Sequence, residues 1–228
     1  MLGKTAVKRL ARARVAVFGI GGVGGFATEA LARAGVGNLV LIDSDKVSES
    51  NINRQIIALS STVGRAKVDV MRERILDINP AANVKTHEVF YSDETRGLFD
   101  FSEFDYVIDA IDSVKSKVDL ILTAKAAGTP IISAMGAGKK LDPTRFVVSD
   151  IKKTTVCPLA KAVRTALRKN GVDTLKVVFS TETPVAPPAD APDPGGENAP
   201  GSISFVPSVM GLILAGEVIK ELAGAQAE

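Results

Sequence analysis

The run Gly19-Ile20-Gly21-Gly22-Val23-Gly24 constrains this chain more than any other stretch. It ends a Val-rich apolar segment, Arg14 to Ile20, and leads into Val23 to Ala34, where Phe26, Ala30, Leu31 and Ala34 recur at helical spacing. A strand that turns through glycines directly into a helix predicts a nucleotide phosphate on the helix N-terminus. Gly19 makes the tight turn, Gly21 lets backbone approach phosphate, Gly24 lets the helix pack close on the strand, and the helix dipole favours the anion. Asp43 ends the next strand, Asn38 to Ile42, 19 residues after Gly24, where a carboxylate accepts hydrogen bonds from ribose hydroxyls. Glycines needed only for a packed turn would leave the position of that acid unexplained. To this point a nicotinamide cofactor fits equally well.

Beyond Asp43 the same alternation continues. A helix is predicted over Arg65 to Asn79, its stripe Val68, Met71, Ile75 and Ile78 ended by Pro80. Val84 to Phe90 reads as a third strand, and Ser92 with Thr95 as the cap of a short helix. A fourth strand, Tyr106 to Ala110, a helix, Val114 to Ala127, and a fifth strand, Pro130 to Ala134, follow. The pattern predicts an α/β fold: a Rossmann-like, doubly wound, mainly parallel sheet covered on both faces. C-terminal strands, Phe146 to Ile151 and Leu175 to Ser180, a helix, Pro158 to Asn170, and a final apolar helix, Pro207 to Leu222, extend it. Residues 183–200 carry six of the eleven prolines and read as a mobile loop. With 228 residues, the chain reads as one domain, 1–228.

Several functional classes are excluded. No apolar run reaches the ~18 residues that would cross a bilayer. One cysteine, Cys157, allows neither an internal disulfide nor a Cys-x-x-Cys zinc site. No secretory signal is evident, so a cytoplasmic location is expected. The net charge of +2 conceals basic clusters: five Lys or Arg and no acid between Met1 and Arg14, and seven bases against Asp173 from Lys152 to Lys176. Such patches suit a polyanionic partner.

A hydride-transfer enzyme needs only the ribose acid, whereas the loop after Asp43 adds Asp45, Asn51, Asn53 and Arg54, and the next helix adds Lys67. Asp109-Ala110-Ile111-Asp112 ends the fourth strand and faces the same crevice. Two cations and a carboxylate able to hold magnesium suit a triphosphate attacked at its α-phosphorus, because the main task is to neutralise phosphoryl oxygens. A carboxylate nucleophile needs no general base, and the only histidine, His87, falls in a strand and reads as structural.

Together, Gly19-x-Gly-Gly-x-Gly24, Asp43-Ser44-Asp45, Ser50-Asn51-Ile52-Asn53-Arg54-Gln55, Gly64-x-x-Lys67, Asn79-Pro80 and Asp109-Ala-Ile-Asp112 resemble the adenylation fold of the ubiquitin-activating-enzyme-like superfamily, which includes bacterial activators of sulfur-carrier proteins. Within it, the segments at Cys157-Pro158-Leu159-Ala160, Val177 to Glu182 and Phe205 to Glu217 most resemble the tRNA threonylcarbamoyladenosine dehydratases. The resemblance implies a homodimer that uses ATP and Mg2+ to adenylate the carboxylate of threonylcarbamoyladenosine in the anticodon-loop region of tRNA, which then cyclises with net loss of water. It implies that Gly19, Gly21, Gly22, Gly24, Asp43, Asn51, Arg54, Lys67 and Asp112 hold ATP, with Asp45, Gln55 and Ser113 beside them. Arg54 and Lys67 would act on the phosphates and Asp112 on magnesium. It further implies an arginine reaching the partner subunit's ATP site, for which Arg9 and Arg12 are loose matches.

The carrier-activating branch, with a sulfur-transfer protein as partner, adenylates a glycine carboxylate and uses a cysteine thioester. A non-catalytic nucleotide-binding adaptor is the reading from another class, opposed by Arg54, Lys67 and Asp112 together. Cys157 opens a helix, where a thiol's pKa falls, but an intramolecular cyclisation needs no enzyme nucleophile. Lys161, Arg164 and Arg168 share one helix face. With Lys152 and Lys153 they are candidate tRNA backbone contacts bordering the crevice, against the competing reading of a solvated face.

Overall fold

The computed structural model describes residues 2–186 and 201–224. Seven strands form one sheet: β1 (Arg14–Phe18), β2 (Asn38–Ile42), β3 (Asn83–His87), β4 (Tyr106–Asp109), β5 (Ile131–Ala134), β6 (Phe146–Asp150) and β7 (Lys176–Ser180). Their order is β3-β2-β1-β4-β5-β7-β6, all parallel except β6, which runs antiparallel to β7. The strands leave β1 in both directions, toward β2 and toward β4, so the topological switch point lies at the carboxyl end of β1. The doubly wound fold expected from the alternation is the fold observed.

Alternation along each strand builds a core on each face. Val15 and Val17 of β1 face one cluster, with Leu39 and Leu41 of β2; Ala16 and Phe18 face the other, with Val40 and Ile42. On the first face lie α1 (Gly3–Arg12), α2 (Gly24–Arg33), α3 (Lys67–Ile78) and α6 (Phe205–Ala223). On the second lie α4 (Val114–Ala126) and α5 (Pro158–Lys169), together with the aromatic side chains Phe18, Tyr91, Phe99, Phe101 and Phe104. Phe18 meets Tyr91 edge-on at 5.1 Å and Phe99 at 5.5 Å. Such pairs add directional contact to the apolar area they bury.

The sequence reading missed α1. Only Ala6 and Leu10 of that helix are buried, and Leu2 at its start offers no side-chain cap, so the usual signals are weak. The short helix expected at Ser92 is instead a hydroxyl-capped turn: Thr95 Oγ1 accepts from the Ser92 amide at 2.9 Å, and a 3-10 turn follows at Arg96–Leu98. Of the loop expected at 183–200, residues 187–200 lie outside the described residues. Its flanks converge on one residue: the Val185 amide donates to Lys139 O, and the Lys139 amide donates to Gly201 O, both at 2.8 Å.

The apolar α6 lies against α2 as well as the sheet. A Cβ at Gly211 would stand 2.2 Å from Val23 O, so only glycine lets α6 cross this close to the start of α2. That crossing places Pro207 behind the glycine turn, where a Cβ on Gly22 would meet it at 3.4 Å.

Candidate active site

The glycine turn is shaped by contacts that no side chain could share. Gly19 has φ +90, a left-handed conformation, and a Cβ there would lie 2.6 Å from Ala110 O. A Cβ on Gly24 would lie 1.8 Å from Gly19 O. Gly24 therefore sits beneath the turn and closes it, leaving Gly19, Gly21 and Gly22 to line the cleft.

That cleft, of about 450 Å³, opens at the switch point. It brings together Asp43, Asp45, Asn51, Arg54, Gln55, Lys67 and Asp112 from four separate segments. Asp43 Oδ2 accepts from the Ile20 amide at 2.6 Å and its Oδ1 from the Asp45 amide at 2.8 Å, so the carboxylate braces the glycine turn. Burial raises the Asp43 pKa above the usual carboxylate value, and the charge of Lys67 and the two amides oppose that rise. The Lys67 side chain is only 6% exposed and pairs with Asp45, itself 64% exposed, at 2.7 Å. Its ammonium is therefore pinned while its carboxylate partner stays hydrated.

The Ser50-to-Gln55 loop is held by its own polar groups. Asn51 Oδ1 accepts from the Ser48 amide at 3.2 Å, closing a 3-10 turn at Glu49–Asn51. Arg54 Nη1 donates to Ser50 O at 2.6 Å and to Asn53 Oδ1 at 2.9 Å. Gln55 is buried, and its Oε1 has no donor among the described residues. An orphaned acceptor in a cleft wall fits a site completed by a ligand or water.

Beneath Asp112 lies a buried network the sequence reading passed over. Asp109 and Lys117, both 0% exposed, pair at 2.8 Å. Lys117 Nζ also donates to Ser133 Oγ at 3.2 Å, and the Ser133 hydroxyl donates to Asp109 Oδ2. Asp109 Oδ1 in turn accepts from the Ile111 amide at 3.1 Å, which fixes the loop that ends in Asp112. The first acid of the Asp109-to-Asp112 motif thus sets the backbone from which the second projects. Asp112 itself is exposed. Ser113 does not line the cleft; its hydroxyl caps α4 by accepting from the Ser116 amide.

One wall is apolar: Phe18, Ile42, Val89, Phe90, Tyr91 and Ile111. The strand expected over Val84 to Phe90 ends at His87, so Val89 to Tyr91 continue past β3 at the carboxyl edge and join the crevice. Ser202 and Pro207, ahead of and within α6, also reach it. His87 packs edge-on against Phe99 at 5.1 Å; burial and Lys85 depress its pKa, in keeping with a structural role.

Cys157 is buried, with its Sγ accepting from the Ala160 amide at 3.5 Å as the cap of α5, and a Cβ on Gly136 would stand 3.4 Å from that sulfur. The thiol is enclosed rather than presented.

The basic candidates do not form one track along the crevice. Asp150 pairs with Lys176, the first residue of β7, so Lys152 and Lys153 leave the sheet at its amino edge, remote from the cleft. Arg164 is half-buried and donates to Thr154 O at 3.0 Å and Ile151 O at 3.3 Å, because that turn's carbonyls need donors. Arg168, three turns along α5, approaches the amino edge, whereas Lys161 lies in the first turn of α5, whose start, at Cys157 and Leu159, meets Gly136 at the carboxyl edge. Arg9 Nη1 donates to Ala223 O at 3.2 Å and so caps α6 of its own chain.

A glycine turn at a switch point, with Asp43, Arg54 and Lys67 beside it in one cleft, is the arrangement of a nucleotide-binding site. The chain belongs to the ThiF family, whose model matches residues 1–228. It is 46% identical over 231 residues to the tRNA threonylcarbamoyladenosine dehydratase of Bacillus subtilis, covering 97% of this chain and 91% of that protein. The crystal structure of the Escherichia coli tRNA N6-threonylcarbamoyladenosine dehydratase in complex with AMP superposes with a TM-score of 0.89 at 37% identity, over 97% of this chain and 90% of that one. The same enzyme in complex with ATP gives a TM-score of 0.88 at 36% identity. Among the described residues no helix is long and apolar enough to cross a membrane.

Proposed function

We propose that this chain is an ATP-dependent tRNA threonylcarbamoyladenosine dehydratase, one adenylating domain over residues 1–228 acting as a homodimer. The observation that carries the reading is the convergence of Arg54, Lys67 and Asp112 on the glycine turn, in a chain 46% identical to a protein of that name.

Bound ATP would supply the AMP that activates the substrate carboxylate. The Gly19-to-Gly24 turn and the N-terminus of α2 would hold its phosphates, Asp43 its ribose, and the wall from Phe18 to Tyr91 its base. A carboxylate oxygen attacks the α-phosphorus and pyrophosphate leaves; a nucleophile within the same modified group then attacks the activated carbonyl and AMP leaves with the oxygen. Water is thereby lost without being released as such. Arg54 and Lys67 neutralise charge that grows on phosphoryl oxygens.

The cleft lining holds three carboxylates, Asp43, Asp45 and Asp112, against two cations, Arg54 and Lys67. A polyphosphate adds more negative charge, so a divalent ion is needed to balance it. No group of three or more His, Cys, Asp or Glu is arranged for a metal among the described residues. Magnesium would therefore arrive on the phosphates and take Asp112 as its protein ligand. The enclosed Cys157 supports cyclisation without a thioester, and Lys161 is the base best placed to meet tRNA beside the cleft. A sulfur-transfer protein partner remains part of the reading.

Incubation with ATP, magnesium and tRNA bearing threonylcarbamoyladenosine, followed by nucleoside mass analysis, tests the proposal. Loss of one water from the modified adenosine is expected. An unchanged nucleoside alongside carrier-protein-driven ATP–pyrophosphate exchange would overturn it.

A further inference from the structure

Asn53 is exposed and points to no ligand of its own, yet its side-chain amide joins two parts of the site far apart in sequence. Its Oδ1 accepts from Arg54 Nη1 at 2.9 Å, and its Nδ2 donates to Ser202 O, 149 residues away, at 3.0 Å. The amide's orientation is forced. A guanidinium can only donate and a carbonyl can only accept, so the reversed amide would lose both bonds.

The consequence falls on Arg54. Both Nη1 hydrogens are engaged, one by Ser50 O at 2.6 Å and one by Asn53. Neither Nε nor Nη2 has a partner among the described residues. That leaves the Nε–Nη2 edge, a planar pair of donors matched to two oxygens of one phosphate, uncommitted on a side chain that lines the cleft. Ser202 is itself fixed, since the neighbouring Gly201 O accepts from the Lys139 amide at 2.8 Å and α6 begins at Phe205.

We propose that Asn53 is a positioning residue, which clamps Arg54 to the segment leading into α6 so that the guanidinium presents its Nε–Nη2 edge to phosphate. The inference rests on the reading that Arg54 meets the phosphates of ATP. Asn53 touches no reacting atom; it acts through Arg54.

The test uses the full chain and its Asn53→Ala, Asn53→Asp, Arg54→Ala and Asn53→Ala/Arg54→Ala variants, with turnover of modified tRNA at saturating ATP and calorimetric affinities for ATP and for adenosine. Asn53→Ala is expected to lower turnover about tenfold and to reduce ATP affinity relative to adenosine, since only the phosphates meet Arg54. Asn53→Asp keeps an acceptor for Arg54 but sets an oxygen against Ser202 O, and it too is expected to lose turnover. The double variant is expected to be no slower than Arg54→Ala, because a residue that acts through another adds nothing once that one is gone. Losses that multiply in the double variant, or Asn53→Ala near wild type while Arg54→Ala is impaired, would overturn the inference and leave the proposed function standing. Full activity of Asn53→Asp would overturn the Ser202 limb. An unimpaired Arg54→Ala would instead overturn the phosphate reading of Arg54 on which the inference rests.

Discussion

Lys67 sets an enclosed ammonium in the cleft against a hydrated partner. Its ammonium is enclosed but its partner Asp45 is 64% exposed, so removing the lysine leaves a carboxylate that water rehydrates. Lys67→Met should therefore keep the fold while lowering turnover about 100-fold, the loss typical when one donor to developing charge is removed. Steady-state rates at saturating ATP check this, and near-normal turnover would remove Lys67 from the chemistry. Lys117 is the opposite case. With both it and Asp109 wholly buried, Lys117→Met strands a carboxylate away from water and should cost about 3–5 kcal/mol of stability. Urea unfolding measures it, and Asp109→Asn added to Lys117→Met should recover part of the loss by removing the unpaired charge.

Between elements, α2 and α3 are joined through Glu29. Its carboxylate accepts from Arg33 Nε at 2.7 Å on its own helix, and from Arg74 Nε at 2.6 Å and Nη2 at 3.1 Å on α3. Burial pushes the Glu29 pKa up, but the bonds from Arg74 and Arg33 outweigh it and hold the group below its ordinary 4.5. A depressed acid contributes stability that is present above its unfolded pKa and is lost as pH falls through the folded one. Glu29→Gln should cost about 2 kcal/mol at pH 7, the scale of charge-assisted bonds, and progressively less as the medium is acidified below 4.5. Denaturant midpoints at neutral and acid pH test this; an equal cost at both would show that the charge plays no part. Because α2 carries the glycine turn at its start, this clamp also steadies the glycine-turn end of the cleft.

At the scale of the whole molecule, the sheet sorts the basic residues by edge. Lys161 lies toward the carboxyl edge with the cleft, while Lys152 and Lys153 emerge at the amino edge. If tRNA meets the protein at the cleft, Lys161→Ala should reduce the slope of log affinity against log salt by about 1, and Lys152→Ala with Lys153→Ala should change it less. Filter binding across a salt series would decide, and a larger effect from the amino-edge pair would place the tRNA elsewhere.

Periodicity in the chain itself determined the sheet, its strands to within a few residues, the glycine turn and the acids and bases around it, because alternation and helical spacing are local properties of neighbouring side chains. Asp43 and Asp112 of the cleft were legible for the same reason, since each follows the end of a strand and parallel strands bring those ends to one edge; Asn51, Arg54 and Lys67, farther along the chain, were legible from the motifs that carry the family resemblance. Tertiary structure alone decided that β7 lies between β5 and β6, that Arg164 serves the turn at Ile151 to Thr154, that Arg9 caps α6, and that Asn53 meets Ser202. The last three end on backbone carbonyls. Every residue carries a carbonyl, so no residue type marks which one a distant donor will find; only the packed chain brings the two together.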